Sequence, residues 1–425
     1  MKNILIAIRS IFKKGRHNVM KIVSLGIGLA VGLVLIAKVY FEQSYDDFYP
    51  DRDRVYQVWA KYQQNGGELK DYPQTSGGIA PTMQQQIPEI ETVTRYTSFG
   101  DWTFTMTDTK MKYSGRCIIA DSCFFDILPR PMLIGNAKEV LSTPMYVLIS
   151  SRIAKNIGGD VIGKNFTVDN SPGRTMTIGG VFEEVPENSH SRYDVIVSMA
   201  SAGRFMWEGS PTNMLGNDRY ISYVKLHKGV NPLALEEQVR TFVNSYFPPE
   251  EQQKVGLSID FSFHKLDNLH KELPQVKRMT WILSLLAFAL IFTAVMNYIL
   301  IVISSIVNRS KEVAVHKCYG ASENNIHGMM FGEALVHIVL SLILALLLIL
   351  AFRGTVEELL ATSLDSLLLS NGSLVLLGIC ILVFFVSGFM PGSLYARIPV
   401  ASAFRNYREN KRIWKKALLL VQFVA

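Results

Sequence analysis

The sequence predicts an α-helical membrane protein with four transmembrane helices and a large α+β extracytoplasmic domain inserted between helices 1 and 2. Three observations carry this reading. Four apolar stretches are long enough to cross a bilayer, Lys and Arg are distributed one-sidedly around them, and the long interval between the first two mixes strand and helix periodicity. The 425 residues are 49% hydrophobic with a net charge of +7. That is too apolar for an ordinary soluble protein and too charged for a wholly lipid-buried one, so the chain needs both a membrane part and a water-exposed part. The basic excess clusters beside the apolar stretches, which favours the lipid bilayer over nucleic acid as its partner.

Residues 1–21 place Ile4, Leu5, Ile8, Ile11 and Phe12 at helical spacing with Lys and Arg on the remaining face. That pattern suits a cytoplasmic amphipathic helix lying in the headgroup plane. Transmembrane helices are expected at 22–41, 279–307, 327–352 and 373–395, each with the roughly 20 residues that cross the hydrocarbon core. The first reads as an anchor rather than a cleaved signal, because the apolar run is long for an h-region and no small-x-small site follows it before Glu42. Cations crowd the segment before the first span and residues 396–416, whereas the short outer loop at 353–372 carries Arg353 against Glu357, Glu358 and Asp365. The positive-inside rule then puts the N-terminus, 308–326 and the tail in the cytoplasm and 42–278 outside. This is a multi-pass protein of the inner (plasma) membrane, with a periplasmic domain in a Gram-negative cell.

Within 42–278, strand-like runs fall at Val55–Ala60, Trp102–Met106, Arg116–Ala120, Met145–Ile149, Thr175–Phe182, Asp194–Met199, Tyr220–Leu226 and Leu257–His264. Asn231 and Pro232 read as N-cap and first helical residue before Leu235, Val239, Phe242, Val243 and Tyr246, and a shorter helix runs from Ser150 or Ser151 to Ile157. The expectation is an α+β domain of two lobes.

No pattern here carries catalysis. Gly158–Asn165 nearly matches a phosphate-cradling loop, but Asn165 replaces the Ser/Thr that would hold Mg²⁺ and a helix, not a strand, precedes it, so a surface turn is expected. Cys117 and Cys123 are too far apart along a strand to bridge unless a turn at Asp121 and Ser122 intervenes, and two buried free thiols are the favoured reading. No cysteine pair has zinc-site spacing. His264 and His270 flank Asp267 and read as a polar hinge rather than a metal or acid–base site. There is no Gly-x-Ser-x-Gly or HExxH motif, so no enzyme activity is expected of the chain.

In the spans, Ser24, Gly28 and Gly32 recur every four residues and give one face of small side chains. That face admits close helix packing, either within the chain or against a partner copy. Glu333 and His337 lie one turn apart near the start of helix 3. Snorkelling to the interface accounts for Glu333, and the alternative is a pairing with Lys311 or Lys317. No span carries a chain of ionisable residues suggestive of a solute path.

Between the second and third spans, the run from Ser310 suits a short helix stopped by Gly320 in a left-handed cap, after which Ser322 is placed to start another. The product is a stiff, mixed-charge cytoplasmic knob shaped for docking.

"SKEVAVHKCYGASENNIHGMMFGEALV" resembles the signature of MacB-like/FtsX-like permeases of ABC transporters, and "FFDILPRPMLIGNAKEVLSTP", "VIGKNF" and "HSRYDVIVSM" are similar to that family's outer-domain landmarks. The topology is similar too. The resemblance implies that Lys311, Glu312, Val313, Ala314, Val315, His316, Lys317, Gly320, Ala321 and Ser322 form a helix coupled to a separate ATPase subunit, with His316 where the family more often has Arg. ATP is then bound by that partner, and this chain needs no cofactor or metal. It further implies a second permease unit, as a homo- or heterodimer or as a missing C-terminal half, because 396–425 lead into an incomplete fifth span. An extracytoplasmic partner or amphiphilic substrate completes the expected partners. The competing reading is a membrane-anchored sensor or scaffold with no ATPase.

Overall fold

A computed structural model describes residues 18–383, apart from 170, 217, 305, 369–371, 373, 374 and 377. The expected amphipathic helix up to residue 17, most of the fourth span and the basic tail lie outside the described residues. The chain divides into two compact units: Ser44–Leu273, and the segments flanking that insert.

The flanking unit is helical. Helix α1 spans Asn18–Gln43, and after the insert come α6 (Pro274–Ser304), α7 (Ile306–Cys318), α8 (Glu323–Ala351), α9 (Arg353–Leu360) and α10 (Leu364–Leu368). Among the described residues, Asn18–Gln43, Pro274–Val302 and Asn324–Ala351 are long and apolar enough to cross a membrane. Helix α1 packs against both α6 and α8. Two expectations change here. Residues 18–21 belong to α1 rather than to a separate surface helix, with Lys21 buried at 1% exposure and its ammonium donating to Asn18 Oδ1 at 3.3 Å. The 353–372 segment is no plain loop, because Arg353 bridges Glu357 at 2.9 Å and Asp365 at 3.0 Å and so ties the short helices α9 and α10 together.

The inserted domain comprises β1 (Val55–Gln64), β2 (Lys70–Tyr72), α2 (Ile79–Gln86), β3 (Ile90–Met106), β4 (Lys112–Ala120), β5 (Met132–Ile134), β6 (Tyr146–Ser150), α3 (Ser151–Ile157), β7 (Asn165–Val168), β8 (Ser171–Phe182), β9 (Val195–Ser198), β10 (Ile221–Leu226), α4 (Glu236–Tyr246), α5 (Pro249–Val255) and β11 (Leu257–Lys265). The sheet runs β11-β1-β10-β3-β4-β9-β6-β8-β5, with β2 beside β1 and β7 joining β3 to β8. Because β7 closes that path, β3, β4, β9, β6, β8 and β7 form a ring. Trp102, Phe104, Met106, Cys117, Ile119, Val147, Ile149, Phe166, Met176, Ile178 and Val197 share one core within these strands. Each large side chain there contributes about 1.5–3 kcal/mol by leaving water.

The other lobe is open. Strands β11, β1, β10 and the first half of β3 carry a core of Val58, Ala60, Val93, Val224 and Phe261 that packs with Ile79 and Met83 of α2 and Val239, Phe242 and Val243 of α4. Strand β3 therefore belongs to both lobes, pairing with β10 through residues 90–96 and with β4 from Tyr96 onward. A register shift between Ser98 and Gly100, with Gly100 at φ +73°, marks the passage from one to the other. At the open edge, β11 is guarded: Gln252 Oε1 accepts from the Ile259 amide at 3.0 Å and Asp260 Oδ1 accepts from the Phe261 amide at 2.8 Å. Asn231 caps a short 3₁₀ turn at Pro232–Leu235 that leads into α4, and Ser150 caps α3 through the Ile153 amide.

Candidate functional site: the coupling segment and the domain neck

Helix α7 follows α6 between the second and third candidate spans, and its stop is a Schellman motif. Gly320 sits at φ +84°, its amide donates to the Lys317 carbonyl at 3.0 Å, and the Ala321 amide donates to the His316 carbonyl at 3.0 Å. Any residue with a Cβ there would cost about 1–2 kcal/mol. Ser322 Oγ then accepts from the Asn325 amide at 3.3 Å and opens α8 itself. The third apolar helix thus begins inside the 308–326 segment rather than after it, because the Ser322 cap satisfies its first turn and no proline interrupts the run that follows. Lys311 lies within α7. Val313 and Ala314 are buried, Glu312, Lys317 and Ala321 are half-buried, and Val315, His316, Gly320 and Ser322 are exposed. Tyr319, which the sequence reading passed over, is 88% exposed.

The small-residue face of α1 meets α6 of the same chain. A Cβ on Gly28 would overlap the Ala294 methyl and one on Gly32 the Ile291 side chain, while Ser24 is half-buried. Gly26 serves the other neighbour: its Cβ would stand 2.9 Å from Leu344 of α8, where Ser341 Oγ also donates to the Ile22 carbonyl at 3.1 Å. Glu333 is 7% exposed and His337 1% exposed, so Glu333 does not snorkel outward; both lie inside the helical unit. His337 Nδ1 is 3.3 Å from the Tyr298 hydroxyl of α6. A further buried charge went unnoticed in the sequence. Lys38 pairs with Glu42 at 2.6 Å and donates to Thr362 Oγ1 at 2.7 Å, pinning one end of α1 to the turn after α9.

At the neck of the inserted domain, the connector leaving α1 (44–52) and the one entering α6 (266–273) are held in different ways. Asp46, fully buried at φ +60°, is latched to the turn at 188–190. Its amide donates to the Asn188 carbonyl at 2.9 Å. Its carboxyl accepts from Ser189 Oγ at 3.1 Å and the His190 amide at 3.2 Å, and lies 2.8 Å from His190 Nδ1. His190 Nε2 reaches the Tyr223 hydroxyl at 2.5 Å, and Asn188 Nδ2 donates to the Ser44 carbonyl at 2.7 Å. Tyr49 packs beside this latch, where burial and the nearby Asp46 push its hydroxyl pKa up, and burial pushes that of Tyr96 up to about 12. Removing one partner from a buried hydrogen-bonded group typically costs about 1–3 kcal/mol, and more where the group left behind is charged.

The second connector is anchored by Leu266 in the core and by Leu269 packed against it, and beyond Leu269 the contacts are peripheral. Lys271 bridges Asp267 at 2.8 Å and Asp47 at 3.2 Å, Arg52 bridges Asp47 at 3.0 Å, and the Tyr45 and His270 rings stack at 3.4 Å. These ionic side chains are 21–36% exposed; fully exposed pairs are worth about 0–1 kcal/mol each, and these partly hydrated ones stand nearer to that than to a fully buried pair. Burial alone would raise the Asp267 pKa, but the Lys271 ammonium outweighs it and holds the carboxyl below its ordinary range.

The remaining sequence candidates disperse. His264 stacks on Trp59 at 4.2 Å, Asp267 and His270 belong to the contacts of the second connector, and no cluster of potential metal ligands occurs among the described residues. Gly158, Gly159 and Gly163 all have positive φ in a turn between α3 and β7. Cys117 is buried, Cys123 is half-buried with its thiol donating to the Val93 carbonyl at 3.1 Å, and both are free.

These features define a class: a helical membrane unit interrupted by a large α+β domain, with a capped helix between its second and third apolar helices. Residues 20–242 match the MacB-like periplasmic core domain and residues 284–400 match the FtsX-like permease C-terminal domain. The chain belongs to the MacB/FtsX-like family of ABC permeases. Among solved structures it is similar to a domain described as that of a permease protein from Porphyromonas gingivalis, at 33% identity over 51% of this chain and 91% of that one, TM-score 0.47. It is also similar to the periplasmic region of MacB from Actinobacillus actinomycetemcomitans, at 14% identity over 52% and 92% of the two chains, TM-score 0.36. No curated protein matches the chain.

Proposed function

We propose that this chain is the non-catalytic permease subunit of an ATP-driven machine, passing motion of a separate ATPase through its membrane helices to the inserted domain. The observation that carries the reading is the Schellman-terminated helix α7 between two apolar helices, presenting Val315, His316 and Tyr319 outward. A helix stopped sharply by Gly320 and followed at once by a capped second helix holds its exposed face at a fixed angle, which is what docking into a groove on a soluble partner requires. In this reading the N-terminus and α7 face the cytoplasm, and 44–273 work outside on efflux of an amphiphile, lipoprotein release or control of an outer partner. ATP belongs to the partner, and a second permease unit completes the assembly.

The test is co-purification of an ATP-hydrolysing subunit with the full chain. Glu312→Lys, which reverses a charge on α7, and Gly320→Pro, whose ring cannot adopt φ +84°, are expected to abolish it. Unchanged co-purification in both variants would remove α7 from the coupling role and favour a sensor or scaffold.

A further inference from the structure

The two connectors of the inserted domain are built unequally. The one leaving α1 is latched by the buried Asp46, whose backbone and carboxyl together hold the turn at Asn188, Ser189 and His190, with His190 in turn on Tyr223. The one entering α6 leaves the core after Leu266 and the partly buried Leu269, which packs against it. Past that point, Glu272 and Leu273 donate their amides only within their own turn, to the Asn268 and His270 carbonyls. Its contacts across to the first connector include the half-exposed Lys271–Asp47 bridge and the Tyr45–His270 stack. From this asymmetry we infer that the domain is carried by the segment leaving α1, with Asp46 and His190 as its positioning residues. Residues 270–273 are the joint that yields, and the cluster of Asp47, Arg52, Asp267 and Lys271 is a releasable catch that ties it to the first connector.

The physical ground is the difference in cost. Opening the catch returns ionic groups that are already partly hydrated to water, whereas opening the latch strands a fully buried carboxyl. A load applied through the helices therefore parts the second connector first. As a working part of the cycle, the device rests on the permease reading above; as a property of the domain it does not.

The first arm uses the full chain alone in lipid nanodiscs, reading amide hydrogen exchange. Lys271→Gln is expected to speed exchange at Glu272 and Leu273 by about fivefold to tenfold, the scale set by losing exposed ion pairs, while Asp46 and Tyr49 stay protected. Raised salt is expected to act in the same direction. His190→Gln, and independently Asp46→Asn, are expected to release Asp46 and Tyr49 instead. Loss of protection at both connectors together in Lys271→Gln, or at neither, overturns the inference. The second arm joins Tyr45→Cys to His270→Cys with a short bis-maleimide in the chain bound to its ATPase. Stimulated ATP hydrolysis is expected to fall to the unstimulated rate, and full activity of the cross-linked protein overturns the catch. If no ATPase binds at all, the permease reading fails while the exchange arm still decides the joint.

Discussion

Replacing Gly28 by Ala tests the packing of α1 on α6 at a single atom. The added Cβ would lie within 3.0 Å of the Ala294 methyl, and ordinary Cβ contacts begin near 3.4 Å, so the helices must part by more than 0.4 Å. Neither side can swing away, because both groups are methyls fixed to backbone. Parting the helices also loosens Gly32 against Ile291, one turn along. Overpacking of this kind costs about 1–3 kcal/mol, roughly 5-fold to 150-fold in the unfolding equilibrium of the helical unit. Ala294→Gly alone is expected to cost about 1 kcal/mol through helix propensity, yet the double variant should be no worse than that single change, because the overlap has gone. The assay is unfolding by SDS in mixed micelles for the wild type, both single variants and the double. Strict additivity of the two costs would refute direct contact between these positions.

Other perturbations give equally definite expectations. Tyr319→Ala should weaken ATPase co-purification by about tenfold or more, because an exposed aromatic at a docking helix has the character of a hot spot; retention in a pull-down measures it. Lys38→Met should destabilise the helical unit by about 3–5 kcal/mol by stranding Glu42 at 4% exposure, and Glu42→Gln in the same chain should recover most of that in the SDS assay. Asp51 is held below the usual carboxylate range first by the hydrogen bond from Lys225 at 2.6 Å and then by Arg54 at 3.1 Å. A carboxyl with a depressed folded-state pKa stabilises above its unfolded value of about 3.9 and loses that contribution as pH falls through the folded value. The melting temperature of the inserted domain should therefore drop below about pH 4, and Asp51→Asn should make the acid limb shallower in a pH series of thermal melts.

Much of the inserted domain's inventory was legible. The eight strand-like runs all fall on strands, and the caps at Ser150 and Asn231 stand where their residue types put them. Alternation reveals a strand wherever one face is buried, as at Trp102, Phe104 and Met106. The first half of β3, and β2, β5 and β7, were missed: "IETVT" alternates weakly, and the other three are short. Strand order, and the closure of β3 through β8 by way of β7, depend on pairings far apart in the chain that periodicity does not encode. The stop at Gly320 was readable because glycine and left-handed backbone go together, whereas the exposure of Tyr319 depends on how α7 turns relative to its neighbours. The latch was invisible for a plainer reason. Asp46 and His190 are 144 residues apart, and nothing in "SYDDFYP" marks which aspartate will be buried. His190 did stand inside "HSRYDVIVSM", a segment noticed for its likeness to a family and not for its chemistry.

Seventeen residues of β3 serve as rail for one lobe and stave for the other. Phe99, unpaired at the Ser98–Gly100 irregularity, lets β3 give Tyr96 to one core and Trp102, Phe104 and Met106 to another. A residue inserted beyond it would leave the pairing with β10 untouched while turning Trp102, Phe104 and Met106 out of the ring and Thr103 and Thr105 into it. The irregularity that lets one strand serve two cores also leaves the face of each half set by its own pairings.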